Sequence, residues 1–131
     1  MAMLLKEIMK PDPLTARDTD SLGDAHHTMV EAHVRHLPVL HDGKLVGILS
    51  ERDILEYRAT RDPSGEWWRA PAAAAMRAPV QTAGPDDSLT EAAGRMAAYK
   101  IGALPIAERG RLLGIVTVTD VLAAEVTEAM R

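Results

Sequence analysis

The stretch VGILSERDIL, Val46 to Leu55, decides how this chain is read. An apolar run with the character of a buried strand ends at Ser50, and an acid, Asp53, follows three residues later. S-x-x-D at the start of a helix is a capping box, in which the hydroxyl and the carboxylate each satisfy a backbone N–H. The same acid could instead hold a ligand. A second stretch, LGIVTVTDVL from Leu113 to Leu122, repeats the pattern with Thr117 and Asp120.

The two stretches belong to a longer repeat. At an offset of 67 residues the chain aligns on itself without a gap from Met9–Leu55 to Met76–Leu122. Thr15-Ala16 falls on Thr82-Ala83, Asp20-Ser21-Leu22 on Asp87-Ser88-Leu89, and Leu37-Pro38 on Leu104-Pro105. Gly43 falls on Gly110, Gly47-Ile48 on Gly114-Ile115, and Asp53 on Asp120. Shared composition does not produce one unbroken register of this length, and the chain reads as a duplication.

Each copy carries the same signals in order. A short extended piece, DPLTA or PVQTA, comes first. Ser21 with Asp24, and Ser88 with Glu91, predict capping boxes that open a helix. Leu22, Ala25 and Met29 give the first of these helices its apolar face, and Leu89, Ala92 and Met96 the second. Two apolar runs around HDGK or ERGR predict a hairpin. Further helices are expected from about Glu51 and about Val118. The order is β-α-β-β-α, twice, an α+β fold whose copies are too small to be comfortable alone. Repeat 1 is placed at 1–62, a linker at 63–70 and repeat 2 at 71–131, with the two sheets expected to pack as one pseudo-twofold unit.

Composition sets the outer limits. The chain has 131 residues, 47% hydrophobic and 26% charged, with a net charge of −4, which argues against nucleic acid or an anionic membrane as partner. With no cysteine, thiol catalysis and thiolate metal sites are excluded. No apolar run is long enough to span a bilayer, and the first residues lack the regions of a secretory signal, so the cytoplasm is the expected location. The core must be aliphatic and methionine-based, because there is no Phe. Trp67 and Trp68 in the linker read as covering a hydrophobic edge, or as a partner surface. The five histidines, His26, His27, His33, His36 and His41, all fall in the first copy without metal-site spacing and read mainly as solvated or pocket-lining.

Order, spacing and duplication together resemble the CBS domain, named for cystathionine β-synthase, and a tandem pair of such domains is a Bateman module. The family pattern G-h-h-[S/T]-x-x-D is met at Gly47–Asp53 and Gly114–Asp120. The resemblance implies two pseudo-symmetric β-α-β-β-α repeats packed sheet to sheet, binding AMP, ADP, ATP or S-adenosylmethionine in clefts between them, and pairing as a homodimer. It implies that Asp53 and Asp120 accept from ribose hydroxyls, with Ser50 and Thr117 near the phosphates. A vicinal diol offers two donors, and a carboxylate is an acceptor with two oxygens to meet them. Helix-start amides favour an anion, and Gly47 and Gly114 would allow close approach of backbone and ligand. Thr15 and Thr82 would be the first strand's contribution to the pocket, their neighbours Pro13-Leu14 and Val80-Gln81 would frame the adenine, and His36 and Ala103 would line the clefts. Arg52, opposite Thr119 in the second copy, suits phosphate and marks the Asp53 site as the one favouring a phosphorylated ligand. Spacing alone favours capping for both aspartates; the resemblance reverses that preference.

The function expected is therefore a regulatory sensor of adenosine-containing ligands, with no required cofactor, no metal, no catalysis and an unidentified regulated protein as partner. The competing account is a constitutive dimeric scaffold whose clefts stay empty. An enzyme is disfavoured: the sequence has no P-loop, no G-x-G-x-x-G and no nucleophile motif.

Overall fold

The computed structural model describes residues 3–62 and 64–131, and contains four helices and two three-stranded sheets. Met1, Ala2 and Pro63 lie outside the described residues, so the linker expected at 63–70 is seen from Ser64 onward. In chain order the strands are β1 (Lys10–Pro11), β2 (Ala16–Arg17), β3 (His36–His41), β4 (Lys44–Ser50), β5 (Ala103–Glu108) and β6 (Arg111–Thr117). The helices are α1 (Leu22–Ala32), α2 (Glu51–Thr60), α3 (Leu89–Tyr99) and α4 (Val118–Ala129). The expected β-α-β-β-α order is present in the first copy, while in the second the opening strand is reduced to a single bridge at Ala83.

Two compact units make up the chain. One is Leu14–Val80; the other joins Met1–Pro13 to Gln81–Arg131. In the first, the strand order is β2-β3-β4, with β2 parallel to β3 and β3 antiparallel to β4. In the second it is β1-β6-β5, antiparallel throughout. Each unit completes what the other has as a full strand with a single bridge. Ala83 bridges Ile106 in parallel, as Ala16 does Val39, and Arg77 bridges Ile48 as Lys10 does Ile115.

The hairpins follow from their turns. Asp42 and Gly43 have φ of 48° and 79°, and Arg109 and Gly110 have φ of 53° and 77°. Two positive φ values in a two-residue loop match the right-handed twist of the flanking strands. Asp tolerates that region better than Arg, so the second turn relies more heavily on its glycine. Both hairpins slip register at one place, between Val39 and Leu40 and between Ile106 and Ala107.

The buried faces are those expected from helical spacing. Leu22, Ala25 and Met29 of α1 pack with Leu37, Val39 and Leu49 from the hairpin and Ile54 from α2. Leu89, Ala92 and Met96 pack with Leu104, Ile106, Val116 and Val121 at the same offset. Trp67 lies partly buried against the first core, edge-on to His26 at 6.2 Å, with the Arg58 guanidinium 5.0 Å above its ring. Trp68 is more exposed, and its Cβ comes within 2.9 Å of where a Cβ on Gly23 would stand.

Candidate functional site

The two aspartates stand at the first turn of α2 and α4. Ser50 is the N-cap of α2: its Oγ accepts from the Asp53 N–H at 3.0 Å, and Asp53 Oδ2 accepts from the Ser50 N–H at 2.9 Å. Thr117 and Asp120 close the same reciprocal box on α4, at 3.3 and 3.0 Å, with the Thr117 hydroxyl also 3.0 Å from Asp120 Oδ2. Local spacing is sufficient cause for both. Ser21 and Ser88, expected to head full boxes, accept from the amides of Asp24 and Glu91, and their boxes close only on that side. At those starts the entering chain is held differently: the Leu22 N–H donates to Ala70 O at 2.8 Å and the Leu89 N–H to Met3 O at 2.8 Å.

The second carboxylate oxygen of each site acid meets a cation. Arg77 Nε lies 3.1 Å from Asp53 Oδ1, and Lys10 Nζ lies 3.7 Å from Asp120 Oδ1. Asp53 is the one buried charged residue among those described. Lys10 and Arg77 were not anticipated as site residues. The signal was present: at the offset that pairs Met9 with Met76, the next residue is basic in both copies.

Gly47 and Gly114 allow close approach of the chain to itself. A Cβ on Gly47 would stand 2.7 Å from Met76 Sδ and 2.9 Å from Arg77 O; on Gly114 it would stand 2.6 Å from Met9 Sδ and 2.8 Å from Lys10 O. The space that glycine leaves is filled by the chain's own Met-basic segment, which is how the cation reaches the carboxylate.

An open cavity of about 510 Å³ adjoins Asp53, lined by Glu56, Tyr57 and Thr60 of α2, by Arg61 just beyond its end, and across from it by residues 75–79. Of the residues singled out in the sequence, only Asp53 lines it. His36 begins β3 directly across from Ser50, close enough for Asp53 to act on it electrostatically. Burial holds the His36 imidazole below its usual pKa, with the Asp53 carboxylate opposing that and Arg35 reinforcing it. His36, Ser50 and Asp53 are thus gathered in one place. Arg52 is exposed on α2, Thr15 precedes β2, and Val80 is half-buried; none of the three hydrogen-bonds to Asp53. In the other unit Thr117 and Asp120 are together, Pro13 follows β1, and Thr82 precedes the Ala83 bridge.

A family model for the CBS domain matches residues 5–60 and again 72–127. The chain belongs to the CBS-domain family. As a tandem CBS pair it is similar to solved pairs over its whole length. One, a CBS domain pair in complex with 5′-methylthioadenosine and S-adenosyl-L-methionine, superposes with a TM-score of 0.86 at 27% identity, covering 100% of both chains. Among curated proteins, it is 31% identical over 120 residues to an L-aspartate semialdehyde sulfurtransferase of Methanocaldococcus jannaschii, covering 90% of this chain and 22% of that one. It is 28% identical over 116 residues to the CBS domain-containing protein YhcV of Bacillus subtilis, covering 88% and 81% respectively. The chain therefore spans under a quarter of the length of the first of these relatives. No helix of the described residues is long and apolar enough to cross a membrane.

Proposed function

We propose that this CBS pair is a regulatory module that binds an adenosine-containing ligand through Asp53 and Asp120, acts in the cytoplasm and signals to a partner protein. The observation that carries the reading is the buried Asp53 carboxylate opening onto a cavity of about 510 Å³, a size suited to a small molecule. Each oxygen of Asp53 accepts one protein hydrogen bond, and a carboxylate offers about four lone-pair positions, so room remains for a diol. The ligands of the similar pair support the same class. Ser50, Thr15, His36, Val80 and Arg52 are assigned to the Asp53 site, and Thr117, Thr82 and Pro13 to the Asp120 site, as contacts to be tested with it. The ligand acts as a regulator, not as a cofactor.

A homodimer completes the proposal. Val118, Leu122, Val126 and Met130 are all exposed and recur every fourth residue along and just beyond α4, a stripe suited to a second copy. A constitutive scaffold is the second reading. It is favoured by the closed boxes and ion pairs, which account for both aspartates with no ligand.

Thermal unfolding with AMP, ADP, ATP and S-adenosylmethionine separates the two. A ligand at 100 times its dissociation constant adds about 2.7 kcal/mol and raises the midpoint by several degrees. The expected result is such a rise, lost in Asp53→Asn or Asp120→Asn. No rise with any of the four, alongside an unchanged dimer, would make the scaffold the better account.

A further inference from the structure

The cavity beside Asp53 holds more cationic donors than a sugar diol requires. Two guanidiniums, Arg61 and Arg77, line it together with Tyr57 and Thr60. Each is fixed by part of its donor set only. Arg77 uses Nε on Asp53, and among the described residues its two Nη groups have no protein acceptor. Arg61 uses Nη2 on the Ala74 carbonyl and lies 5.1 Å over the Tyr57 ring, which leaves Nε and Nη1 without a protein acceptor among those residues. A guanidinium held by one edge presents the rest of its fork in a fixed plane, the arrangement that suits phosphate oxygens.

The repeat provides an internal control. At the same offset, Arg77 is Lys10, Arg61 is Glu128, Tyr57 is Ala124, Glu56 is Ala123 and Pro79 is Asp12. The Asp53 cavity therefore sets two guanidiniums against the carboxylates of Asp53 and Glu56. At the matching sequence positions the second copy carries one ammonium, Lys10, which pairs with Asp120, and two further acids, Asp12 and Glu128. An anion meets a balanced field in the first case and a negative one in the second.

We propose that Arg61 and Arg77 make the Asp53 cavity a receptor for the phosphate groups of a nucleotide, while the Asp120 repeat is selective for uncharged or cationic adenosine compounds. This rests on the adenosine reading above and moves phosphate selection from Arg52, which is exposed outside the cavity, to Arg61 and Arg77.

The test is calorimetric titration of the full chain with ATP, adenosine and inorganic triphosphate, for wild type, Arg61→Glu and the neutral Arg61→Gln. Arg61 is exposed at the end of α2, and circular dichroism verifies that both variants fold. The expected result is ATP binding at least tenfold tighter than adenosine. Arg61→Glu should weaken ATP tenfold or more, Arg61→Gln should weaken it less, and adenosine should stay within twofold in both. Adenosine bound normally, with ATP no tighter and indifferent to Arg61, overturns the inference and leaves the adenosine reading standing. If no adenosine compound binds, that reading fails, and inorganic triphosphate decides this one: binding lost in Arg61→Glu supports the anion site, and no binding overturns it.

Discussion

Asp53 takes its cation from Arg77 at 3.1 Å, and Asp120 takes its own from Lys10 at 3.7 Å. The carboxylate side chains are 6% and 16% exposed. The two acids occupy equivalent helix starts with equivalent caps, and they differ in how far each is withdrawn from water and how firmly it is matched. Duplication preserved the backbone device that places the acid and left the surrounding charges free to diverge. What is shared between the repeats is therefore structural, and what differs between them is the charge set around each acid, on which the proposed ligand selectivity rests.

The largest effect is expected where the copies are most alike. Gly47→Ala and Gly114→Ala each drive a Cβ against a methionine sulfur and a backbone carbonyl. The sulfur can swing aside. The Arg77 carbonyl, held by the Ile48 N–H at 3.1 Å, cannot move without opening the bridge that carries Arg77. Overpacking of this kind costs about 1–3 kcal/mol. Urea unfolding should give similar losses for the two substitutions with m unchanged. A large loss at one glycine and none at the other would break the equivalence of the repeats.

The aspartates should then separate them. Asp53→Ala leaves the Ser50 N–H and Arg77 without their acceptor in the more buried setting, a loss of about 1–3 kcal/mol. Asp120→Ala removes the same cap in a wetter place from a looser lysine, and should cost nearer to about 1 kcal/mol. The same urea measurements decide it. Equal losses would mean that the ion pairs add nothing to the caps, and that the asymmetry matters to ligands alone.

How much of this was legible in the sequence follows the range of the forces involved. Hairpin turns, helix starts and buried helix faces depend on residues a few positions apart, so Asp42-Gly43, Ser50 with Asp53, and Leu22-Ala25-Met29 announce themselves. The boxes at Ser21 and Ser88 close on one side because spacing sets the serine's bond to the third amide but does not bring the Asp24 or Glu91 carboxylate back to the N-cap amide. β1 is two residues long and contains Pro11, so no periodicity marks it. Arg61 and Arg77 come to one cavity from a helix end and from a segment well along the chain. Arg52, next to Asp53 in sequence, projects elsewhere: adjacency along a helix is not adjacency in space.

The smallest effect belongs to a residue that only one repeat has. His36 stands where the second copy has Ala103, and burial favours its neutral form more than the Asp53 carboxylate favours its charged one. An unfolded histidine titrates near pH 6.5. Between the lowered folded value and that point the unfolded chain holds more protons, so stability rises with pH through the window and is lost as pH falls below about 6.5. Carboxylates elsewhere contribute their own acid dependence to wild type and variant alike. The difference between wild type and His36→Ala therefore isolates the imidazole. Between pH 7.5 and pH 5.5 wild type should lose more stability than His36→Ala, with the gap closing toward neutral pH. The opposite sign, with the histidine stabilising as it charges, would mean that Asp53 outweighs burial, and would make His36⁺ a second cation beside the acid that Arg77 already holds.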